Sequence, residues 1–174
     1  MYSRIPRRHK HRVHPKGMPR RHRFEARLRW TGAQHGPTDS YERYDRGLRV
    51  EFDGKPPMEL SAAPPFRGDG SVHNPEDLLV AALSACHALS YLALCARRGV
   101  RVVGYEDAAV GELGHGAPGE TLRFHEAVLR PRVTIDATSD LALAERLHER
   151  AHQECFIAAS VNFPVRCEAV VERG

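Results

Sequence analysis

Apolar and polar residues alternate from Phe24 to Trp30, with Ala26 and Leu28 set against Glu25, Arg27 and Arg29. That period of two predicts a half-buried strand. Leu48, Val50 and Phe52 alternate with Arg49 and Glu51 in the same way. Asp53-Gly54 then supplies a turn before a short strand at Met58-Glu59-Leu60. Thr31 to Arg46 reads as a polar loop, and residues 61–73 as a Pro/Gly-rich connection. Asn74 is placed as an N-cap, with Pro75 at the first helical position and Asp77 three residues after the cap. The helix this predicts runs from 75 to 98, where Arg97-Arg98 suit its negative end and Gly99 its C′ position. Its centre is apolar on nearly every side, which requires burial on every side. One chain of this size does not easily supply that cover, so a homodimer is expected. Two long strands are expected next, Val100 to Leu113 and Leu122 to Ile135, joined by a loop at Gly114 to Gly119. Leu141, Ala144, Leu147, His148, Ala151 and Cys155 recur at helical spacing and predict a second helix from Asp140 to Phe156. Pro164 to Val171 reads as a last strand with Val165, Cys167, Ala169 and Val171 on one face. The order is strands, helix, strands, helix, strand, an α+β domain without internal repeats.

Composition adds three constraints. Length, 41% hydrophobic and 28% charged content describe one ordinary globular domain. The apolar stretch from Leu78 to Leu94 is interrupted by Ser84, Cys86, His87 and Ser90, and reads as too short and too polar to span a bilayer. No secretory signal is read at the N-terminus. The formal charge of +4 conceals two opposite parts. Residues 1–23 carry nine Lys/Arg and no acid, whereas 24–174 carry 17 basic and 22 acidic side chains, a net of −5. The division is therefore a basic, disordered tail over 1–23 and a folded domain over 24–174. The tail reads as a solvated extension (Met18 being an alternative start), as a phosphate- or acid-binding segment, or as a transit peptide, which the scarcity of Ser disfavours. Nucleic acid and membrane are not expected partners.

Four cysteines without a signal peptide point to a reducing, cytoplasmic setting and to reactive or packing thiols rather than structural disulfides. Cys86 lies mid-helix and Cys155 near the end of the second helix. From the residues alone, two inert buried thiols and a reactive pair both stand. Cys95, nine residues after Cys86, falls on the opposite side of the helix and reads as packing, as does Cys167 on the last strand. Cys86, His87, His152 and Cys155 have metal-ligand chemistry. Adjacent Cys86 and His87 point about 100° apart, however, and the usual ligand spacings are missing, so no metal is expected.

Asn74-Pro75-Glu76-Asp77-Leu78-Leu79 through Leu83-Ser84-Ala85-Cys86-His87 closely resembles the osmotically inducible protein C / organic hydroperoxide resistance family. So do Ala151-His152-Gln153-Glu154-Cys155-Phe156-Ile157 through Val165, and Ser40-Tyr41-Glu42-Arg43 resembles the family's arginine loop. The resemblance spans Phe24 to Val171. It implies thiol-dependent reduction of organic, including fatty-acid, hydroperoxides by an intertwined α+β homodimer, with two central helices packed against curved antiparallel sheets. By position it implies Cys86 as peroxidatic cysteine and Cys155 as resolving cysteine. Arg43 would be the arginine that activates the thiol, and Glu76 the glutamate that holds that arginine. A thiolate is the nucleophile; apolar burial disfavours one, and a permanently charged Arg offsets that. No cofactor is implied beyond an external dithiol reductant, a lipoyl-protein or small thiol. Phe156-Ile157 stands where the hydroperoxide-resistance branch carries Pro-Tyr, which brings the chain closer to the osmotically inducible branch.

Helix geometry adds a separate expectation. Glu76 and Cys86 are ten residues apart, about 15 Å along one helix. If Glu76 supports Arg43 beside a thiolate, that thiolate belongs to a partner chain. The other reading of Glu76 is a first-turn acid favoured by the helix dipole. That of Arg43 is a solvated loop residue, with Arg46 competing for its role. The rival function is a non-enzymatic protein that holds a small apolar ligand between protomers.

Overall fold

The computed structural model describes residues 21–117 and 119–174, so most of the basic tail lies outside the described residues. The chain forms β1 (Arg27–Trp30), β2 (Leu48–Glu51) and β3 (Met58–Leu60), then α1 (Pro75–Arg98). It continues through β4 (Val102–Asp107), β5 (Val110–Gly114), β6 (Arg123–Leu129) and β7 (Pro131–Ile135). After α2 (Leu141–Glu154) it ends in β8 (Val165–Cys167) and β9 (Val170–Arg173).

α1 starts and stops for the reasons legible in the chain, whereas α2 ends at Glu154, two residues short of the expected Phe156. The Asn74 side chain accepts the Asp77 backbone N–H at 2.9 Å and donates to the Asp77 carboxylate at 2.8 Å. Gly99 closes α1 in the left-handed region, with φ 75, and its N–H returns to the Cys95 carbonyl. Asp140 caps α2 by accepting the Leu143 N–H at 3.0 Å. α1 is longer and more apolar than the Leu78–Leu94 stretch suggests. By length and composition alone it meets the bare requirement for a membrane span, as the core helices of globular folds also do. In this fold it serves as the helix on which both cores are built.

The expected long strands are each broken. Val100 to Leu113 divides at Ala108-Ala109 into β4 and β5, Leu122 to Ile135 divides at Arg130 into β6 and β7, and Pro164 to Val171 divides at Glu168-Ala169 into β8 and β9. The three breaks lie side by side. Asp107 accepts the Arg130 backbone N–H at 2.7 Å, and the Glu168 N–H bonds to the Leu129 carbonyl at 2.8 Å. Pro131, with no N–H of its own, begins the next strand. The same three chain passes thus make two sheets, β4-β7-β9 and β5-β6-β8, meeting at a crease.

The sheets are mixed, not wholly antiparallel as the resemblance implies. β6 and β7 pair antiparallel with β5 and β4, but parallel with β8 and β9. The cause is α2, which carries the chain back across the layer so that β8 and β9 run with β6 and β7. Each sheet covers a different length of α1. Tyr91, Leu94 and Cys95 pack with Val133, Ile135, Ala144 and Leu147. Leu83 packs with Ala127, Leu129 and Val165 on the other side of the crease.

The N-terminal meander β1-β2-β3 stands apart from both clusters. β1 does not meet its half-buried expectation within the protomer: Phe24 is 88% exposed and Leu28 63% exposed. On α1 itself, Leu89 is 69% exposed. An apolar helix and strand left this open are faces that the described residues do not cover.

Candidate functional site

Cys86 projects from the middle of α1, between the turn bearing Leu83 and the turn bearing Tyr91, and therefore at the crease. Cys155 is the first residue past α2. Its N–H bonds to the His152 carbonyl at 3.2 Å, and its carbonyl accepts the Ala159 N–H at 3.0 Å. Both thiols are buried, and Cys86 is near enough to act on the Cys155 thiol. Burial pushes the Cys155 thiol up to about 11; backbone N–H groups of Ala158 and Ile157 oppose the rise, and the Cys86 thiol adds to it. Both cysteines are free. Cys86 keeps 7% of its surface exposed and Cys155 only 2%.

Arg43 and Glu76 are not drawn into this pair within the protomer. Arg43 is exposed in the loop after Ser40, whose carbonyl accepts its backbone N–H at 3.2 Å. Among the described residues its side chain has no ion pair. Arg46, the competing cation, is engaged elsewhere. Its guanidinium donates to the Tyr44 carbonyl at 2.8 Å and the Tyr41 carbonyl at 2.6 Å, and lies 4.0 Å from the Tyr44 ring centroid. It is a structural clasp for the loop. Glu76 sits in the first turn of α1 with Oε2 buried and without a hydrogen-bond partner. A buried acceptor left alone costs about 1–3 kcal/mol, so this carboxylate is set for a donor that the described residues do not provide.

Glu76 lines a cleft of about 920 Å³ between the start of α1 and β5-β6, with Phe66, Val80, Ala81, Ser84 and Phe124. Neither Cys86 nor Cys155 lines it. The cleft therefore opens on the Glu76 turn of the helix, away from both thiols.

A second cluster was not anticipated. The metal expectation weighed Cys86, His87, His152 and Cys155. The fold instead brings His87, His148 and Cys167 together, their ligand atoms all within 4.8 Å of one another. His87 Nε2 lies 3.1 Å from His148 Nδ1, and Cys167 Sγ lies 3.5 Å and 4.0 Å from these atoms. Burial pushes His148 down to about 4, with His87 adding to the shift, and burial also lowers His87. Burial raises Cys167 to about 11, and Asp107 reinforces the rise. Cys167 thus approaches the two histidines. Cys95 behaves as expected, packed in the core at 1% exposure. The one sequence signal for the cluster was His148 falling on the apolar face of α2.

The profile of the OsmC-like protein family matches residues 68–169. No curated protein sequence matches the chain. An OsmC-like protein of unknown function from Vibrio cholerae is 33% identical, with a TM-score of 0.78 over 86% of this chain and 100% of that one. An organic hydroperoxide resistance protein from Elizabethkingia anophelis, with thiocyanate bound, is 19% identical with a TM-score of 0.65, covering 90% and 100%. One from Legionella pneumophila, described as an organic hydroperoxide resistance protein and predicted redox protein, is 16% identical with a TM-score of 0.62, covering 87% and 97%. At these identities the last two share the fold alone.

Proposed function

The chain belongs to the OsmC-like family, and from that premise we propose that it is a two-cysteine peroxidase acting on organic hydroperoxides. The observation that carries the reading is that two free, buried cysteines, Cys86 in the middle of α1 and Cys155 at the exit of α2, lie near enough for Cys86 to act on the Cys155 thiol. A role in peroxide resistance fits the family and the hydroperoxide-resistance proteins that share the fold.

The Cys86 thiolate attacks the distal oxygen of the hydroperoxide. The O–O bond breaks, the alkoxide takes a proton and leaves as the alcohol, and Cys86 becomes a sulfenic acid. Cys155 then displaces the hydroxyl as water and a Cys86–Cys155 disulfide forms. An external dithiol, of the lipoyl or small-thiol class, reduces the disulfide and is itself oxidised to one. Cys155, held protonated by its burial, is a poor first nucleophile and a ready second one, since the sulfenic acid forms directly beside it.

The remaining two groups act in a homodimer. Glu76 and Cys86 lie on one regular helix, ten residues or about 15 Å apart, so they serve different sites. Arg43, without an ion pair among the described residues, reaches Glu76 and the peroxide site across the subunit interface, and its charge favours the thiolate. The uncovered Leu89 and Leu28 faces supply the apolar surface of that interface. Free cysteines of this kind are used in a reducing cytoplasm, where we place the protein.

The test is to treat reduced protein with one equivalent of an organic hydroperoxide and map the products by mass spectrometry. A Cys86–Cys155 disulfide, formed faster than with hydrogen peroxide, supports the proposal. Survival of both thiols sinks it. The second reading, a non-enzymatic protein for a small apolar ligand, draws on the thiol-free cleft of about 920 Å³. Under that reading Cys86→Ser leaves ligand binding intact and there is no turnover to lose.

A further inference from the structure

We propose that His87, His148 and Cys167 form a binding site for a divalent transition metal of the zinc class, separate from the Cys86–Cys155 pair. The three residues come from α1, α2 and the end of β8, and their convergence is a product of the crease. Tetrahedral bonds of about 2.0–2.1 Å to nitrogen and about 2.3 Å to sulfur require N···N separations near 3.3 Å and N···S separations near 3.6 Å. The observed separations are 3.1 Å for the two nitrogens, and 3.5 Å and 4.0 Å from the sulfur. An ion fits among these atoms after adjustments of a few tenths of an ångström.

The donors suit such an ion in kind as well as in distance. Two imidazoles and a thiolate are the ligand set of a borderline-soft metal, not of calcium or magnesium. His87 is fully buried and His148 is 5% exposed, so water does not compete freely for their ring nitrogens. The far nitrogens, His87 Nδ1 and His148 Nε2, are buried and have no partner among the described residues. Neutral imidazoles in mutual contact leave those atoms unpaired in either tautomer. A metal between Nε2 of His87 and Nδ1 of His148 would fix both rings in one tautomer.

Charge balance favours the same reading. Binding displaces the Cys167 proton to solvent, leaving a thiolate on the ion. Asp107 is near enough to act on both Cys167 and His87. One thiolate and one carboxylate neutralise a divalent ion at a buried place. The three protein ligands leave a fourth tetrahedral position open.

The experiment uses cobalt(II) as the probe, added to full-length reduced protein stripped by chelator, and separately present during refolding. Cobalt bound by a thiolate absorbs in the near ultraviolet by sulfur-to-metal charge transfer, which histidine or carboxylate ligands do not produce. One equivalent should give this band in at least one of the two preparations, zinc should abolish it, and Cys86→Ser/Cys155→Ser should retain it. Cys167→Ser should lose the band while keeping its circular dichroism. No stoichiometric band in wild type under either condition overturns the proposal, and so does loss of the band in the Cys86/Cys155 variant. That double variant leaves the cluster untouched, so it decides the matter even if Cys167→Ser does not fold. Peroxidase activity plays no part in the readout, so the two proposals fail independently.

Discussion

Ser84 donates a 2.6 Å hydrogen bond to Asp107 Oδ2, while the other oxygen of that carboxylate accepts the Arg130 backbone N–H at 2.7 Å. One side chain thereby ties α1, two residues before Cys86, to the crease between the sheets. Asp107→Ala leaves a part-buried hydroxyl and a backbone N–H without acceptors. The expected cost is about 2–4 kcal/mol, read as a lower midpoint in urea. Because the tie positions the turn that carries Cys86, the Cys86–Cys155 disulfide should also form more slowly after a peroxide pulse.

Cys155→Ser should give one round of alcohol release and then stall. Its Cys86 should accumulate sulfinic and sulfonic acid as peroxide is raised, where wild type accumulates disulfide. Intact-mass spectra distinguish the two. A Cys86 no more easily over-oxidised than in wild type would remove Cys155 from the resolving role.

Arg43 and Arg46 should separate cleanly. Arg43→Ala should slow peroxide reduction by roughly tenfold or more, the scale of losing a cation beside a thiolate, with little change in melting temperature. Arg46→Ala gives up two hydrogen bonds to carbonyls and stacking on two tyrosines. It should instead cost about 1–3 kcal/mol of loop stability. Rate and melting curves of the two variants, measured side by side, test the assignment.

Alkaline pH should weaken the reduced protein through Cys155. Its folded-state value, about 11, lies above the ordinary thiol value of 9.0, so the unfolded chain loses the proton first. The contribution is complete below about 9 and disappears as pH rises through about 11, a loss of roughly 2 kcal/mol. Cys155→Ser does not titrate there. Its stability should therefore fall less than that of wild type across the same window in denaturant titrations.

Leu89→Asp should turn a dimer into monomers. The change removes about 1.5–3 kcal/mol of apolar burial per side chain and places a carboxylate where apolar faces meet. Light scattering after size exclusion should report the protomer mass, and peroxidase activity should fall with it. A dimer of unchanged mass and activity would show that this face of α1 is not the interface.

The start of α1 was legible to the residue because its cap is local, Asn74 with Asp77, whereas α2 starts one residue later than its spacing predicts, with Asp140 outside the helix as its cap. The strand breaks were not legible. Alternation runs straight through Ala108-Ala109 and through Arg130, and what divides the strands is a side chain twenty-three residues away in sequence. The thiol pair was readable only through motif resemblance, since spacing along the chain says nothing of contact between two helices. The His87–Cys167 approach spans eighty residues and depends on where the last strand docks. Cys167 was read as core for its apolar company, and its polar neighbours come entirely from other elements.

The crease has one further consequence, for the order in which the molecule is made. The third strand of each sheet, β8 in one and β9 in the other, comes from the single stretch Val165–Arg173. Neither sheet gains its parallel edge until that stretch has been synthesised and α2 has carried it back. On the ribosome both half-built sheets wait with an open edge on β6 and β7, and both close on the arrival of the same few residues.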